Sequence, residues 1–91
     1  MNITKEFGPF RLTARDNELL EARLIIEKLE KAGNQKKLSD IALGSSEQLI
    51  RMYAIMASTD VETLQKARMS DPSDWNKIVA EERLNKITNP R

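Results

Sequence analysis

The chain has 91 residues, 15 lysines and arginines against 14 aspartates and glutamates, and neither cysteine nor histidine. Without cysteine there is no disulfide framework and no thiolate to act as nucleophile or ligand. Without histidine the commonest general base, zinc ligand and proton switch are missing as well. The chain therefore reads as a non-enzymatic binding protein with no cofactor and no metal.

The charges are interleaved: residues 1–37 carry eight basic and six acidic groups, residues 38–69 three and four, and residues 70–91 four and four. No block is basic enough to serve as an electrostatic tail for nucleic acid or anionic lipid. The apolar runs are far too short to span a bilayer, and the opening MNITKEF has no signal-peptide core. A soluble, cytoplasmic protein with no membrane partner is expected. A chain this short buries only about 60–65% of its unfolded surface, so a homo-oligomer or a bound partner is expected to add stability.

Helical spacing predicts an all-α fold, one small domain over residues 1–91 that forms a bundle of four to five helices. Residues 1–12 hold Phe7, Phe10 and Leu12 around Gly8-Pro9, which reads as an extended arm because proline disfavours helix in the residue before it. Phe7 and Phe10 either close one end of the core or dock on a second subunit.

Thr13, with Asp16 three residues later, starts a long helix over 13–32 that stops at Gly33-Asn34. Leu19, Ala22, Ile25, Ile26 and Leu29 share one wide face. Leu20 and Leu24 lie about 100° and 140° from Leu19 on the helical wheel. A helix apolar on two sides points to an interface, with Leu20 and Leu24 as its anchors.

Residues 35–57 are predicted as a helix-turn-helix-like unit. Its first helix, Gln35 to Leu43, turns Leu38, Ile41 and Ala42 inward and is closed by Gly44. Ser45 with Gln48 forms a capping-box signature, and the helix it opens carries Leu49, Ile50, Met52, Tyr53 and Met56. Thr59 with Glu62 is a second such signature, starting a helix over 60–69 with Val61, Leu64 and Ala67 inward. Asp71-Pro72 starts a last helix over 72–87 whose apolar face holds Trp75, Ile78, Val79 and Leu84. Trp75 is expected half-buried there, or else exposed as a hot spot. No internal repeat or linker is evident.

The segment Lys36–Met56, KKLSDIALGSSEQLIRMYAIM, resembles the helix-turn-helix pattern of bacterial and phage regulators over about twenty residues. Ile50, six after Gly44, matches an apolar position of that pattern. Asp40 and Ser46 stand where the pattern has a small and an apolar residue. The resemblance implies duplex DNA as partner. Ser45 and Ser46 would hold phosphate, Gln48 would read adenine, Arg51 would read guanine or bind phosphate, and Lys36 and Lys37 would clamp the flanking backbone.

A second class stands beside it. An oligomeric helical adaptor or inhibitor of a host protein would use Phe7, Phe10, Leu20, Leu24 and Trp75, and small phage- or plasmid-borne proteins that titrate a host factor have this composition. A third reading, sequestration of a small anionic ligand such as a nucleotide, would rest on Arg11, Arg15, Lys28 and Arg51. The acidic pairs Glu18/Glu21, Glu27/Glu30 and Glu81/Glu82 lie beside lysine or arginine at helical spacing and read as surface ion pairs worth roughly 0.3–0.5 kcal/mol each.

Overall fold

The computed structural model describes residues 14–89, with side chains from Arg15 onward. Five helices and no strand occupy that span: α1 Ala14–Lys31, α2 Gln35–Gly44, α3 Gln48–Ala57, α4 Val61–Ser70 and α5 Asp74–Thr88. The fold is all-α, and none of these helices is long and apolar enough to cross a membrane. Phe7, Phe10 and the expected cap Thr13 lie outside the described residues.

α1 ends in a Schellman motif. The Gly33 amide donates to the Glu30 carbonyl at 3.0 Å and the Asn34 amide to the Leu29 carbonyl at 2.9 Å. This geometry needs a left-handed residue, and Gly33 supplies it at φ +70°, the one positive φ among the described residues. Asn34 then caps α2, its side chain accepting from the Lys37 amide at 3.2 Å.

The remaining corners share a different design, and they reveal a period that residue patterning does not. α2, α3, α4 and α5 begin at 35, 48, 61 and 74, each 13 residues after the last. Each of the three corners between them opens on an extended residue: Ser45 (φ −65°, ψ 139°), Ser58 (−76°, 143°) and Asp71 (−62°, 134°). In every case the side-chain oxygen of that residue accepts the amide two positions on, from Glu47 at 3.2 Å, Asp60 at 3.2 Å and Ser73 at 2.8 Å. The expectation of no internal repeat is thus corrected. What repeats is a corner chemistry and a helix length, carried by different side chains each time.

These corners also move the predicted caps. Gly44 is the last residue of α2, not a left-handed terminator, because Ser45 makes the corner in extended backbone. α3 is capped at Glu47 and not through the Ser45/Gln48 signature; the Glu47 carboxylate makes no capping bond and instead takes Arg15 of α1, at 2.9 and 3.0 Å. Asp60, not Thr59, caps α4 by accepting from the Thr63 amide at 3.0 Å. Ser73 caps α5, leaving Pro72 in the corner.

α2 with α3 and α4 with α5 form two helical hairpins, which stack so that α2 meets α4 and α3 meets α5; α1 packs on α3 and α2. The result is two layers, α1–α3–α5 and α2–α4, elongated to 44 × 28 × 26 Å. The core consists of Ile26, Leu38, Ala42, Ala54, Ile55, Ala57, Leu64, Ala67, Ala80 and Leu84. Five of these ten are alanine, so the helices meet through short side chains at close range.

Leu38 and Ala42 are buried as helical spacing predicts, but several other faces are rotated from expectation. On α1 Ile26 is buried and Ile25 is exposed. On α3 the inward residues are Arg51, Ala54, Ile55 and Ala57, while Met56 is exposed. α5 turns Asn76, Ala80 and Leu84 inward and leaves Trp75 and Ile78 in solvent. In α3 and α5 a hydrogen-bonded polar side chain, Arg51 or Asn76, takes the inward position and orients the helix about it.

Replacing each helix-ending glycine separates the two corner types. Gly33→Ala places a Cβ in left-handed backbone and is expected to cost about 1–2 kcal/mol, although nothing lies within 4 Å of that Cβ. Gly44→Ala, equally unobstructed and in ordinary backbone, is expected to gain about 0.4–1 kcal/mol. Denaturant unfolding of the two variants checks both signs.

Candidate functional site

Two polar residues of the helix-turn-helix-like segment, Gln48 and Arg51, enter a network that joins both hairpins. Arg51, 8% exposed, forms a fork with Asp71: Nε donates to Oδ2 at 3.1 Å and Nη2 to Oδ1 at 3.3 Å. Its remaining arm, Nη1, donates to the Ser45 carbonyl at 3.0 Å. Asp71 also accepts from the Ser73 amide at 2.8 Å and from the Asn76 amide group at 3.4 Å. Asn76, fully buried, donates from Nδ2 to the Gln48 carbonyl at 3.1 Å and accepts from Gln48 Nε2 at 3.2 Å. No buried side-chain nitrogen or oxygen among the described residues lacks a partner.

Each residue of the expected DNA-reading face therefore has a definite place. Arg51 is enclosed, and the part-buried Gln48 spends its side chain on Asn76 of α5. The Ser45 hydroxyl accepts from the Glu47 amide at 3.2 Å. Ser46, Lys36 and Lys37 are exposed. Lys36 borders a surface depression shared with Asp40, Asp60 and Glu62, a setting that competes with phosphate for its charge. Of the residues weighed for a small anion, Arg15 is paired with Glu47 and Arg51 with Asp71, Lys28 is exposed elsewhere on α1, and Arg11 lies outside the described residues. No group of three or more acidic residues among those described is arranged to hold a metal ion.

The expected interface residues stand outward. Leu20 and Leu24 are half-exposed on α1, and Trp75 is 60% exposed on α5. Beside Trp75 runs a groove of about 430 Å³ between α3 and α5, floored by Met52, Met56 and Val79 and rimmed by Glu82, Arg83 and Lys86. Met52 and Met56 thus line a surface groove. Arg83 is anchored at the groove edge by its Nε, which donates to the Ser58 carbonyl at 2.9 Å. Lys86 pairs with Glu82 at 3.4 Å. Sequence reasoning singled out Trp75, Met52 and Met56 separately. What joins them is the stacking of α3 on α5, which rests on Asn76, a residue with no distinguishing motif.

The Asp71 carboxyl feels two opposed effects. Burial pushes its pKa up, but hydrogen bonds from Arg51, the Ser73 amide and Asn76 outweigh it and hold the group below its ordinary value of 3.8. The folded state thus favours the ionised form. That stability is present above the unfolded-state value and is lost as pH falls through the lower folded one. Asp71→Asn is expected to flatten the acid limb of a stability–pH curve measured between pH 5 and 2.

Asp71→Ala strands a buried guanidinium and is expected to cost about 3–5 kcal/mol, whereas the double change Arg51→Met/Asp71→Leu removes both charges and costs much less. Chemical denaturation of the three proteins checks the difference.

Comparison of the chain with family models, with curated proteins and with solved structures found no match to any of them, so the geometry above is what bears on function.

Proposed function

We propose that this protein is a non-enzymatic adaptor or inhibitor that binds a partner protein through the groove between α3 and α5. One observation carries the reading: Gln48 and Arg51 of the helix-turn-helix-like segment are spent on holding the hairpins together, while large apolar side chains line an open groove. Methionines suit such a surface because their unbranched chains re-pack against different partners. An exposed tryptophan at the groove edge is the residue type that most often dominates a protein interface. The groove fits the apolar face of an amphipathic helix, and Glu82, Arg83 and Lys86 at the rim offer both charge signs to orient it. Stacks of helical hairpins generally bind through surfaces of this kind.

A photo-crosslinking residue at position 56 tests the proposal in cells that express the protein. The expected result is a discrete crosslinked partner that disappears when Met52→Glu is added. Alongside it, a mixed-sequence DNA duplex is expected to show no binding at low salt by fluorescence anisotropy. Duplex binding that weakens linearly in log salt and is lost in Lys36→Ala/Lys37→Ala would overturn the proposal in favour of a DNA-binding regulator. So would crosslinking that Met52→Glu leaves unchanged.

A further inference from the structure

Stacked helices α1, α3 and α5 are related by a 26-residue step, and the surface depressions between them show it. Between α1 and α3 one depression is lined by Ile26 and Glu30 on one side and Tyr53, Met56 and Ala57 on the other. Adding 26 to these five numbers gives Met52, Met56, Val79, Glu82 and Arg83, all of which line the groove between α3 and α5; Arg23, Glu27 and Met52, which also line the depression, step to residues outside the groove. Each helix therefore has a forward face, carrying position 26, 52 or 78, and a rear face, carrying position 24, 50 or 76. Ile50 on the rear of α3 borders the same cleft as Ile26 on the front of α1. Asn76 on the rear of α5 bonds to α3.

Two of these positions are half-exposed on the outer faces of the described stack. Ile78 on the front of α5 is 55% exposed and Leu24 on the rear of α1 is 50% exposed. They are the two halves of one repeated interface, left open at opposite ends of the stack. Capping repeats of solenoids carry polar outer faces; the outer faces of the described stack carry apolar side chains.

We propose that a second copy of this chain closes the gap head to tail, the rear of its α1 resting on the front of α5. Charge agrees with the register. One step before Ala54 and Ala57 stand Lys28 and Lys31; one step after Ile55 stands Glu81, and one step after Met56, which borders both the α1–α3 depression and the α3–α5 groove, stands Glu82. Between chains these positions would bring Lys28 and Lys31 near Glu81 and Glu82, with Leu24 against Ile78 beside them. Among the described residues Lys28, Lys31 and Glu81 make no ion pair, and Glu82 pairs with the exposed Lys86. The contact is heterologous, so copies add in line.

Sedimentation velocity of the full chain over a concentration series tests this. The expected mass rises with concentration and falls back with added salt. Leu24→Glu and Ile78→Glu should each stay at one chain with helical content unchanged by circular dichroism. Mixed one to one they should form a dimer and nothing larger, because only one head and one tail remain functional. Lys28→Glu/Lys31→Glu should weaken assembly, and adding Glu81→Lys/Glu82→Lys to the same chain should restore it. A wild-type mass of one chain at every concentration overturns the proposal. Ile78→Glu chains that assemble by themselves overturn it too, since they would be joined through α1 alone. Neither result touches partner binding, which Met52→Glu reports separately.

Discussion

The fork between Arg51 and Asp71 is the constraint on which the arrangement of the helices depends. A guanidinium inside a protein must have every donor satisfied and its charge balanced, and few geometries achieve that. Here the solution draws on two corners. Asp71 opens the corner before α5, and the Ser45 carbonyl lies in the corner before α3. Because Asp71 also accepts from the first residues of the α5 region, Ser73 and Asn76, the rotation of α5 about its axis is set by the same carboxylate. Trp75 is exposed as a consequence, one residue and about 100° from the buried Asn76.

Around this network the apolar core is thin. Alanine lets α3 approach α5 closely, and α4 approach α5, but each buried methyl contributes little transfer free energy. The polar contacts therefore serve as locators: Ser39 and Thr63 hydroxyls 2.6 Å apart tie α2 to α4, and the Thr59 amide donates to Gln35 Oε1 at 2.9 Å across the same layer. With so little core to fill, large apolar side chains such as Met56 and Trp75 are left for the surface.

Helical content was legible from spacing, and so was the helix stop at Gly33-Asn34, since glycine followed by a capping residue has a local cause. The inward faces were less so. Apolar spacing makes Ile25 and Ile26 equivalent, and Trp75 a better anchor than Asn76, because periodicity ranks residues by hydrophobicity and has no knowledge of partners 20 to 28 positions away. Arg51 illustrates the same limit. At i+3 from Gln48 it shares an attractive polar face, and only Asp71, distant in sequence, turns that face inward. The 13-residue period escaped for another reason: Ser45, Ser58 and Asp71 perform one backbone task with side chains that differ in charge and size.

The order in which helices touch has a consequence for how the chain acquires its shape. Packing joins only helices adjacent in sequence or separated by one, so no long loop must close before a favourable contact forms. Such a chain has low contact order and folds rapidly from any nucleus. The best-connected starting point is α3, which packs on α1, α2 and α5. Growth is expected to proceed outward from it in both directions, and loosening to begin at the two outer helices. The most durable part of the molecule is its middle.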